Sequence, residues 1–237
     1  SLRRGSGGGG PAPFDPASVG TLAWWLAGDD VTLNGADVSS WNDKSGNGRH
    51  WTQGTAADQP LFVASAMNGQ PGVTFDAANT EWLNGPNLAV VGLTAAESFL
   101  VIRVNTDPPI DSRSGLWAVG SSATAGSLYP FATGIIFDEF GSTTRPSTVN
   151  PTPALTSPRI YGSTSAAGEK VIRLDGTQIY ANATNVVGWN TAPMLGNAYT
   201  SRFLDGTLCE WLVYAAVLSA GSRASVNGYL KAKYGIA

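Results

Sequence analysis

The stretch Trp41-Asn-Asp-Lys-Ser-Gly-Asn-Gly48 passes from an aromatic strand end into a loop of small polar residues. Such residues favour tight turns, because Asn, Asp and Ser side chains bond the local backbone and Gly permits left-handed conformations. Short apolar segments lie on both sides of this loop and alternate as half-buried strands do. They occupy residues 22–26, 38–41, 60–63 and 73–75. The pattern predicts β structure around the loop.

The remainder of the chain continues this pattern. Its 237 residues include 29 Gly and 14 Pro, and only 13% are charged, which favours an all-β domain over a helical one. Segment 98–104 is apolar on both faces and predicts a central strand that is covered on both sides. One face carries Leu100, Ile102 and Val104, and the other carries Phe99 and Val101.

Two local signals fix further elements. Asp175-Gly176 lies between two strand-like segments, 171–174 and 178–180, and predicts a tight hairpin. Near the C-terminus, Ser219 is a suitable N-cap and Gly235 a suitable left-handed C-cap for a helix whose apolar residues recur at helical spacing. We expect this helix to lie across one edge of the β structure.

Residues 1–16 have a different composition. They contain a Gly-Ser-Gly-Gly-Gly-Gly run followed by Pro-Ala-Pro, which is typical of a flexible tether that stiffens towards its proline end. We therefore predict a linker at 1–16 and a single domain at 17–237. An engineered spacer remains the alternative interpretation of the Gly-rich run.

Three segments carry a resemblance to a known family. The loop 41–48 resembles the Trp-x-Asp-x-Ser-Gly-x-Gly signature of concanavalin A-like lectin/glucanase domains, the LamG-like jelly rolls. Phe203-Leu-Asp-Gly-Thr-Leu-Cys-Glu-Trp-Leu-Val-Tyr214 and Tyr229-Leu-Lys-Ala-Lys-Tyr-Gly-Ile236 resemble their last strand and terminal helix. The resemblance implies a two-sheet antiparallel jelly-roll sandwich with one C-terminal helix, of the kind appended to phage tail or head-surface proteins and bacterial surface proteins.

Charge and apolar runs exclude some partners. The net charge is -3 and the basic residues are scattered, so we expect no nucleic-acid partner. No run approaches the roughly 18 apolar residues of a membrane span, and we expect no membrane insertion. The single cysteine, Cys209, lies in an apolar strand pattern and is expected to be a small buried hydrophobe.

The family resemblance raises glycoside hydrolysis, which needs two carboxyl groups across the scissile bond. The hydrolases of this fold carry Glu-x-Asp-x-x-Glu on one strand, whereas this chain has Asp138 and Glu139 side by side. Adjacent strand residues point to opposite faces, so the pair is not matched for catalysis. We expect that the chain is not an enzyme and that Asp138 pairs with Arg145 or Arg173.

The resemblance also raises calcium, because many lectin-like sandwiches hold this ion with carboxylates and loop carbonyls. Asp29, Asp30 and Asp43 are the candidate ligands, although they match no spaced calcium motif. The alternative for Asp43 is an Asx turn that bonds its own loop backbone. We expect no required cofactor and leave calcium open.

Aromatic residues are the richest resource for binding, since their faces stack on sugar rings and dominate protein interfaces. Trp25, Trp41, Trp117 and Trp211 lie in apolar strand patterns and are predicted to be core residues. The predicted ligand-binding set consists of the loop-like tryptophans and two polar loop residues: Trp51, Trp82, Trp189, Asn47 and Arg145.

These observations leave three functions open. The preferred hypothesis is a non-catalytic recognition module that binds a glycan or receptor at a virion surface or in an extracellular setting. The alternatives are a structural decoration module of a virion and a glycoside hydrolase. We expect contact with neighbouring virion or surface-protein subunits through the N-terminal tether, and a homotrimer is one option because fibre-borne domains are often trimeric.

Overall fold

The computed structural model describes residues 14–87, 92–107, 112–121, 126–148, 150–199 and 201–237. Within these ranges the chain is mostly antiparallel β structure with one C-terminal helix, which confirms this part of the predicted fold class. The strands are β1 (Leu22–Asn34), β2 (Asp37–Asp43), β3 (Trp51–Thr52), β4 (Leu61–Met67), β5 (Gln70–Phe75), β6 (Leu83–Asn84), β7 (Ala95–Val104), β8 (Ser112–Gly120), β9 (Ser127–Ala132), β10 (Ile135–Phe137), β11 (Arg159–Ala166), β12 (Glu169–Leu174), β13 (Thr177–Asn182), β14 (Trp189–Leu195), β15 (Asn197–Ala198), β16 (Arg202–Phe203) and β17 (Gly206–Tyr214). The helix α1 is Ala220–Tyr234, and 3-10 turns span Pro16–Val19, Ala56–Asp58 and Ala77–Asn79.

Most strands belong to one hydrogen-bonded path. Its order is β10-β9-β8-β14-β6-β3-β2-β4-β5-β17-β7-β11-β12-β13, and β15 pairs separately with β16. The first strand, β1, pairs with both β17 and β2 and so bridges two separate points of the path. Because these partners are distant in sequence, β1 fastens the two ends of the domain together.

Strand β7 is central, as predicted. It pairs with β17 on one side and with β11 on the other, and both of its faces are buried. The predicted division of its side chains is confirmed. Leu100, Ile102 and Val104 enter the larger core cluster, whereas Phe99 and Val101 enter a second cluster on the opposite face.

The larger core is built around tryptophans. Trp211 of β17 stacks on Trp117 of β8, with ring centroids 5.1 Å apart and an interplanar angle of 4°. Trp24 meets Trp211 edge-on at 5.0 Å, and Trp41 is fully buried, with its indole N–H bonded to the Ala27 carbonyl. Each such aromatic pair adds about 1 kcal/mol beyond the area that it buries. Trp25, also predicted to be core, is only half-buried and donates its indole N–H to Glu210.

The helix α1 begins and ends as the cap signals predict. The Ser219 hydroxyl accepts from the Ser222 N–H at 3.1 Å, and Gly235 is left-handed with φ of 65°. Its location differs from the prediction. The helix covers the outer face of β17 and β7, where its apolar residues join the second core cluster, because Phe99 and Val101 would otherwise be exposed there. Its buried residues are Val226, Asn227, Leu230 and Tyr234.

Smaller predictions are also settled. Asp175 and Gly176 form the turn between β12 and β13, with φ of 52° and 88°. Cys209 is fully buried, and burial raises the pKa of its thiol to about 12. No helix in the described ranges is long and apolar enough to cross a membrane.

The predicted linker, residues 1–16, lies outside the described residues up to residue 13. Phe14 packs on Tyr229 of α1 with ring centroids 5.5 Å apart, and the Pro16 carbonyl accepts from the Tyr214 hydroxyl at 3.0 Å. The division into a linker at 1–16 and a domain at 17–237 stays a prediction.

Candidate functional site

The polar loop after β2, residues 43–49, is held to β1 by side-chain hydrogen bonds, and we call it the Asp43 latch. The Asp43 carboxylate accepts four hydrogen bonds of 2.8–2.9 Å, from the Trp25, Ser45 and Arg49 backbone N–H groups and the Ser45 hydroxyl. The bond to the Ser45 N–H is the Asx turn that the sequence raised as the alternative. Asn47 belongs to the same latch, since its amide donates to the Leu22 carbonyl of β1 at 2.9 Å. Asn47 was predicted to bind a ligand, but in the structure its side-chain amide binds the backbone of β1.

The candidate calcium ligands do not fit the ion. Both oxygens of Asp43 already accept from N–H and O–H donors. Asp29 is ion-paired with Lys44 at 3.0 Å, and Asp30 accepts from the Asn42 amide at 3.1 Å. Among the residues that the structure describes, no group of three or more His, Cys, Asp or Glu residues could hold a metal. The three carboxylates have separate partners and do not converge.

The prediction that Trp51 is exposed is wrong. Trp51 is fully buried and packs against Trp24 and Trp211 at 5.9 and 5.1 Å, because β3 pairs with β2 and draws the ring into the core. Gly85 lies directly over this ring, so closely that a Cβ there would come within 2.6 Å of it. Trp82, by contrast, is half-buried.

Trp189 is the predicted binding residue that the structure places on a concave surface. It opens β14 and is half-buried, with its indole N–H donating to the Leu93 carbonyl at 2.8 Å. Its ring meets Phe140 edge-on at 5.3 Å and an interplanar angle of 89°. Behind it lies Gly141, with φ of 57°, where a Cβ would come within 2.6 Å of the ring. These contacts hold the ring in one orientation.

A buried polar cluster fixes the segment behind Trp189. Lys170 of β12 is 1% exposed, donates to the Phe140 carbonyl at 2.6 Å and forms an ion pair with Asp138. Ser165 donates to the Gly141 carbonyl. Because carbonyls 140 and 141 are both held by side chains of the neighbouring hairpin β11–β12, the platform beneath Trp189 is preorganised.

The residues around Trp189 form a surface groove of about 470 Å³. We call it the Trp189 groove, and define it by its lining residues: Gly92, Leu93, Thr94, Ala167, Val187, Gly188 and Trp189. Its lining is mostly apolar and comes from three separate segments of the chain. Val186, at 59% exposed, adjoins it in sequence. Sequence reasoning found only Trp189 of this set, since the other members are ordinary turn residues without a chemical signature.

The structure corrects the expected partner of Asp138. Asp138 is fully buried and is bonded by the Lys170 ammonium, the Tyr161 hydroxyl and the Ser163 hydroxyl, instead of by Arg145 or Arg173. Burial lowers the pKa of Lys170, and the adjacent carboxylate opposes that shift. Burial also raises the pKa of Tyr161 well above its usual range, with Asp138 acting in the same direction. The acid is thus part of the core.

The other carboxyl group of this pair is buried as well. Glu139 is fully buried, accepts from the Gly126 N–H, and its own N–H donates to the Ser127 hydroxyl at 2.7 Å. Arg145 lies with its guanidinium 4.6 Å from the Phe137 ring centroid and 5.0 Å from that of Tyr199. The predicted ligand-binding residue Arg145 therefore forms cation–π contacts with two aromatic rings, and it does not line the Trp189 groove.

Comparisons with solved structures find chains of similar fold at low sequence identity. No protein-family model matches the chain, and no curated protein matches it. Trypanosoma rangeli sialidase in complex with the inhibitor DANA aligns over 91% of this chain and 34% of its own, at a TM-score of 0.56 and 15% identity. The receptor binding domain of botulinum neurotoxin type G aligns over 89% and 51%, at 0.64 and 8%. Domain 4 of a GH43 extracellular arabinanase from Geobacillus stearothermophilus, in complex with arabinotriose, aligns over 88% and 99%, at 0.60 and 11%.

At these identities the likeness shows the fold alone. The chain spans about a third of the sialidase and about half of the neurotoxin chain. The expectation that the chain is not an enzyme is wrong. It was argued from the fold and from the missing acid pair, and this fold does not exclude an enzyme. A sialidase and a domain of an arabinanase share this fold, so it occurs within enzymes that act on sugars.

Proposed function

We propose that the chain is a glycan-binding module with a LamG-like, two-sheet jelly-roll architecture, and that its binding site is the Trp189 groove. The observation that carries the proposal is the placement of Trp189. Its ring is fixed by Phe140, Gly141 and the Leu93 carbonyl, and it forms a wall of an open groove of about 470 Å³. Pockets of roughly 300–1,000 Å³ accept small ligands of the size of a short oligosaccharide.

The chemistry of the groove suits a sugar ring. A pyranose or furanose has an apolar face of C–H groups that stacks on an aromatic ring, and its hydroxyls remain free to bond water or backbone groups. Because the indole N–H of Trp189 is already bonded to Leu93, the ring contributes its face and not its polar edge. A rigid ring loses little conformational entropy when a ligand binds.

The comparisons support the same proposal. The arabinanase domain that matches this chain over almost its whole length is described in complex with arabinotriose, and the neurotoxin domain is described as receptor-binding. The setting is also part of the proposal: a virion surface or extracellular location, attachment to neighbouring subunits through residues 1–16, and a homotrimer as one option. A structural decoration module remains the competing function.

A glycan array probed with the full chain tests the proposal. We expect wild type to bind at least one glycan and Trp189→Ala to lose that binding. Since Trp189 also packs on Phe140, the second variant is Ala167→Arg, which fills the groove from an exposed turn and leaves the core intact. Trp82→Ala is the matched control, a half-buried tryptophan outside the groove. Glycan binding that survives Ala167→Arg, or that is lost only with Trp82→Ala, would overturn the assignment of the site to the Trp189 groove. If the chain bound no glycan but assembled stoichiometrically on a surface protein, the structural decoration function would be favoured.

A further inference from the structure

A second concave surface lies between α1 and the β12–β13 hairpin. It is a cleft of about 480 Å³, and its lining includes three basic side chains. The lining residues that matter here are Arg173, Asp175, Gly176, Arg223, Asn227 and Lys231. None of its lining residues belongs to the Trp189 groove, so this basic cleft is a separate site.

The basic side chains of the cleft differ in how closely they are paired with carboxylates. Glu97 is 1% exposed, and Arg223 engages both of its oxygens. Arg173 lies farther away, at 3.6 Å from Glu97, and donates instead to the Thr164 hydroxyl at 2.8 Å. Asp175 is ion-paired with Arg159 at 3.0 Å. Arg173 and Arg223 therefore share the carboxylate of Glu97, and the carboxylate of Asp175 is paired with Arg159.

Arg173 is the more weakly paired of the two guanidinium groups, because Arg223 forms the hydrogen bonds to Glu97. Burial lowers its pKa, and repulsion from Arg223 acts in the same direction, whereas Glu97 and Glu169 oppose the shift. Lys231 adds a further positive charge from the helix side. An anion that entered the cleft would relieve this repulsion, because the two guanidinium groups of Arg173 and Arg223 share the single carboxylate of Glu97.

Asn227 supplies an independent sign of a ligand. The residue is 8% exposed, and its Nδ2 donates to the Arg223 carbonyl at 2.9 Å. Within the described part of the chain, its Oδ1 has no hydrogen-bond partner, and it lies 3.6 Å from the position that a Cβ of Gly176 would occupy. A buried acceptor without a donor is unfavourable, and a hydroxyl from the cleft would satisfy it.

We propose that the basic cleft binds a carboxylated sugar. Arg173 and Lys231 bind the carboxylate, for which a planar guanidinium is a well-matched donor. A hydroxyl of the same sugar donates to Asn227 Oδ1. The anionic group and the hydroxyl together distinguish this ligand from a simple anion and from a neutral sugar.

The test uses the full chain labelled with ¹⁵N, titrated with sodium D-glucuronate, sodium acetate, sodium phosphate and D-glucose at constant ionic strength. We expect saturable shifts in the amide signals of α1 and the β12–β13 turn, with affinity highest for glucuronate. Lys231→Ala should weaken glucuronate binding about fivefold, as expected for one partly exposed ion pair. Asn227→Ala should remove the preference for glucuronate over acetate. Arg202→Ala, which removes an exposed positive charge in β16, is the matched control and should change nothing.

Several outcomes would overturn this assignment. They are equal affinity for glucuronate and acetate in wild type, unchanged binding in Lys231→Ala, or shifts confined to residues outside the cleft. Binding of inorganic phosphate as tight as that of glucuronate would show a non-specific anion surface and would also overturn it. The outcome is independent of the Trp189 groove, because Ala167→Arg should bind glucuronate normally even where it abolishes glycan binding on the array.

Discussion

The latch at Asp43 gives a quantitative prediction. Asp43 is 8% exposed, and its carboxylate accepts four hydrogen bonds that tie β1 to the loop after β2. Asp43→Ala leaves the donors of Trp25, Ser45 and Arg49 without this acceptor. Leaving the Trp25 N–H unbonded within β1 should cost about 2 kcal/mol. The three other donors can turn towards water, and the loss of each of these bonds should cost about 0.5 kcal/mol. We therefore expect a total loss of about 3–4 kcal/mol.

Asp43→Asn refines the test. The amide retains one oxygen, which can accept from Trp25 and Ser45, but presents its NH₂ group to the Arg49 N–H. The expected loss is therefore smaller, about 1–2 kcal/mol. Guanidinium unfolding followed by tryptophan fluorescence measures both values, and about 3 kcal/mol corresponds to a fall of roughly 6–12 °C in Tm for a chain of this size.

The same assay separates the latch from a calcium site. If donors occupy the Asp43 oxygens as described, added Ca²⁺ or a chelator should leave the Tm of wild type unchanged. A loss below about 1 kcal/mol in Asp43→Ala would refute the hydrogen-bond reasoning. A rise in wild-type Tm with Ca²⁺ that disappears in Asp43→Ala would show that the carboxylate binds the ion instead.

Three further predictions concern buried groups. Trp51→Ala should destabilise the chain by about 3–5 kcal/mol in denaturant unfolding, because it empties a space that the core cannot refill; a loss near zero would contradict its burial. Lys170→Met should cost about 3–5 kcal/mol, because Asp138 is left buried without its partner, and the double variant with Asp138→Asn should recover part of this loss; a double variant less stable than Lys170→Met alone would count against the pairing. Burial raises the pKa of Glu81 in the folded chain above its ordinary value of 4.5. The neutral carboxyl group therefore stabilises the folded state below pH 4.5, and this stabilisation is lost as the pH rises through the pKa of Glu81 in the folded chain. Wild type should therefore lose stability relative to Glu81→Gln as the pH rises from about 4 to 7, and a difference that is constant across this range would contradict the direction of the shift.

Features that depend on local pattern were predictable. The alternation of Phe99 and Leu100 across β7 follows from the strand period, which assigns neighbours to opposite faces. The Asp175-Gly176 turn and the helix caps at Ser219 and Gly235 follow from backbone preferences of single residues. Each needs only a few consecutive residues, so a single sequence contains the required information.

Features that depend on distant pairing were not predictable. Trp51 is followed by polar loop residues, but the pairing of β3 with β2 places its ring between Trp24 and Trp211. The partner of Asp138 is Lys170, more than thirty residues along the chain, because the segment after β10 lies beside the β11–β12 hairpin. The Trp189 groove likewise combines turns that no local spacing connects.

The proposed glycan site requires a sugar ring to stack on Trp189. A crystal structure of the chain with an oligosaccharide selected on the array tests it most directly. We expect density for a sugar ring parallel to the Trp189 indole, between Leu93 and Val187. Density for the sugar at another surface, with the Trp189 groove empty at saturating ligand, would contradict it.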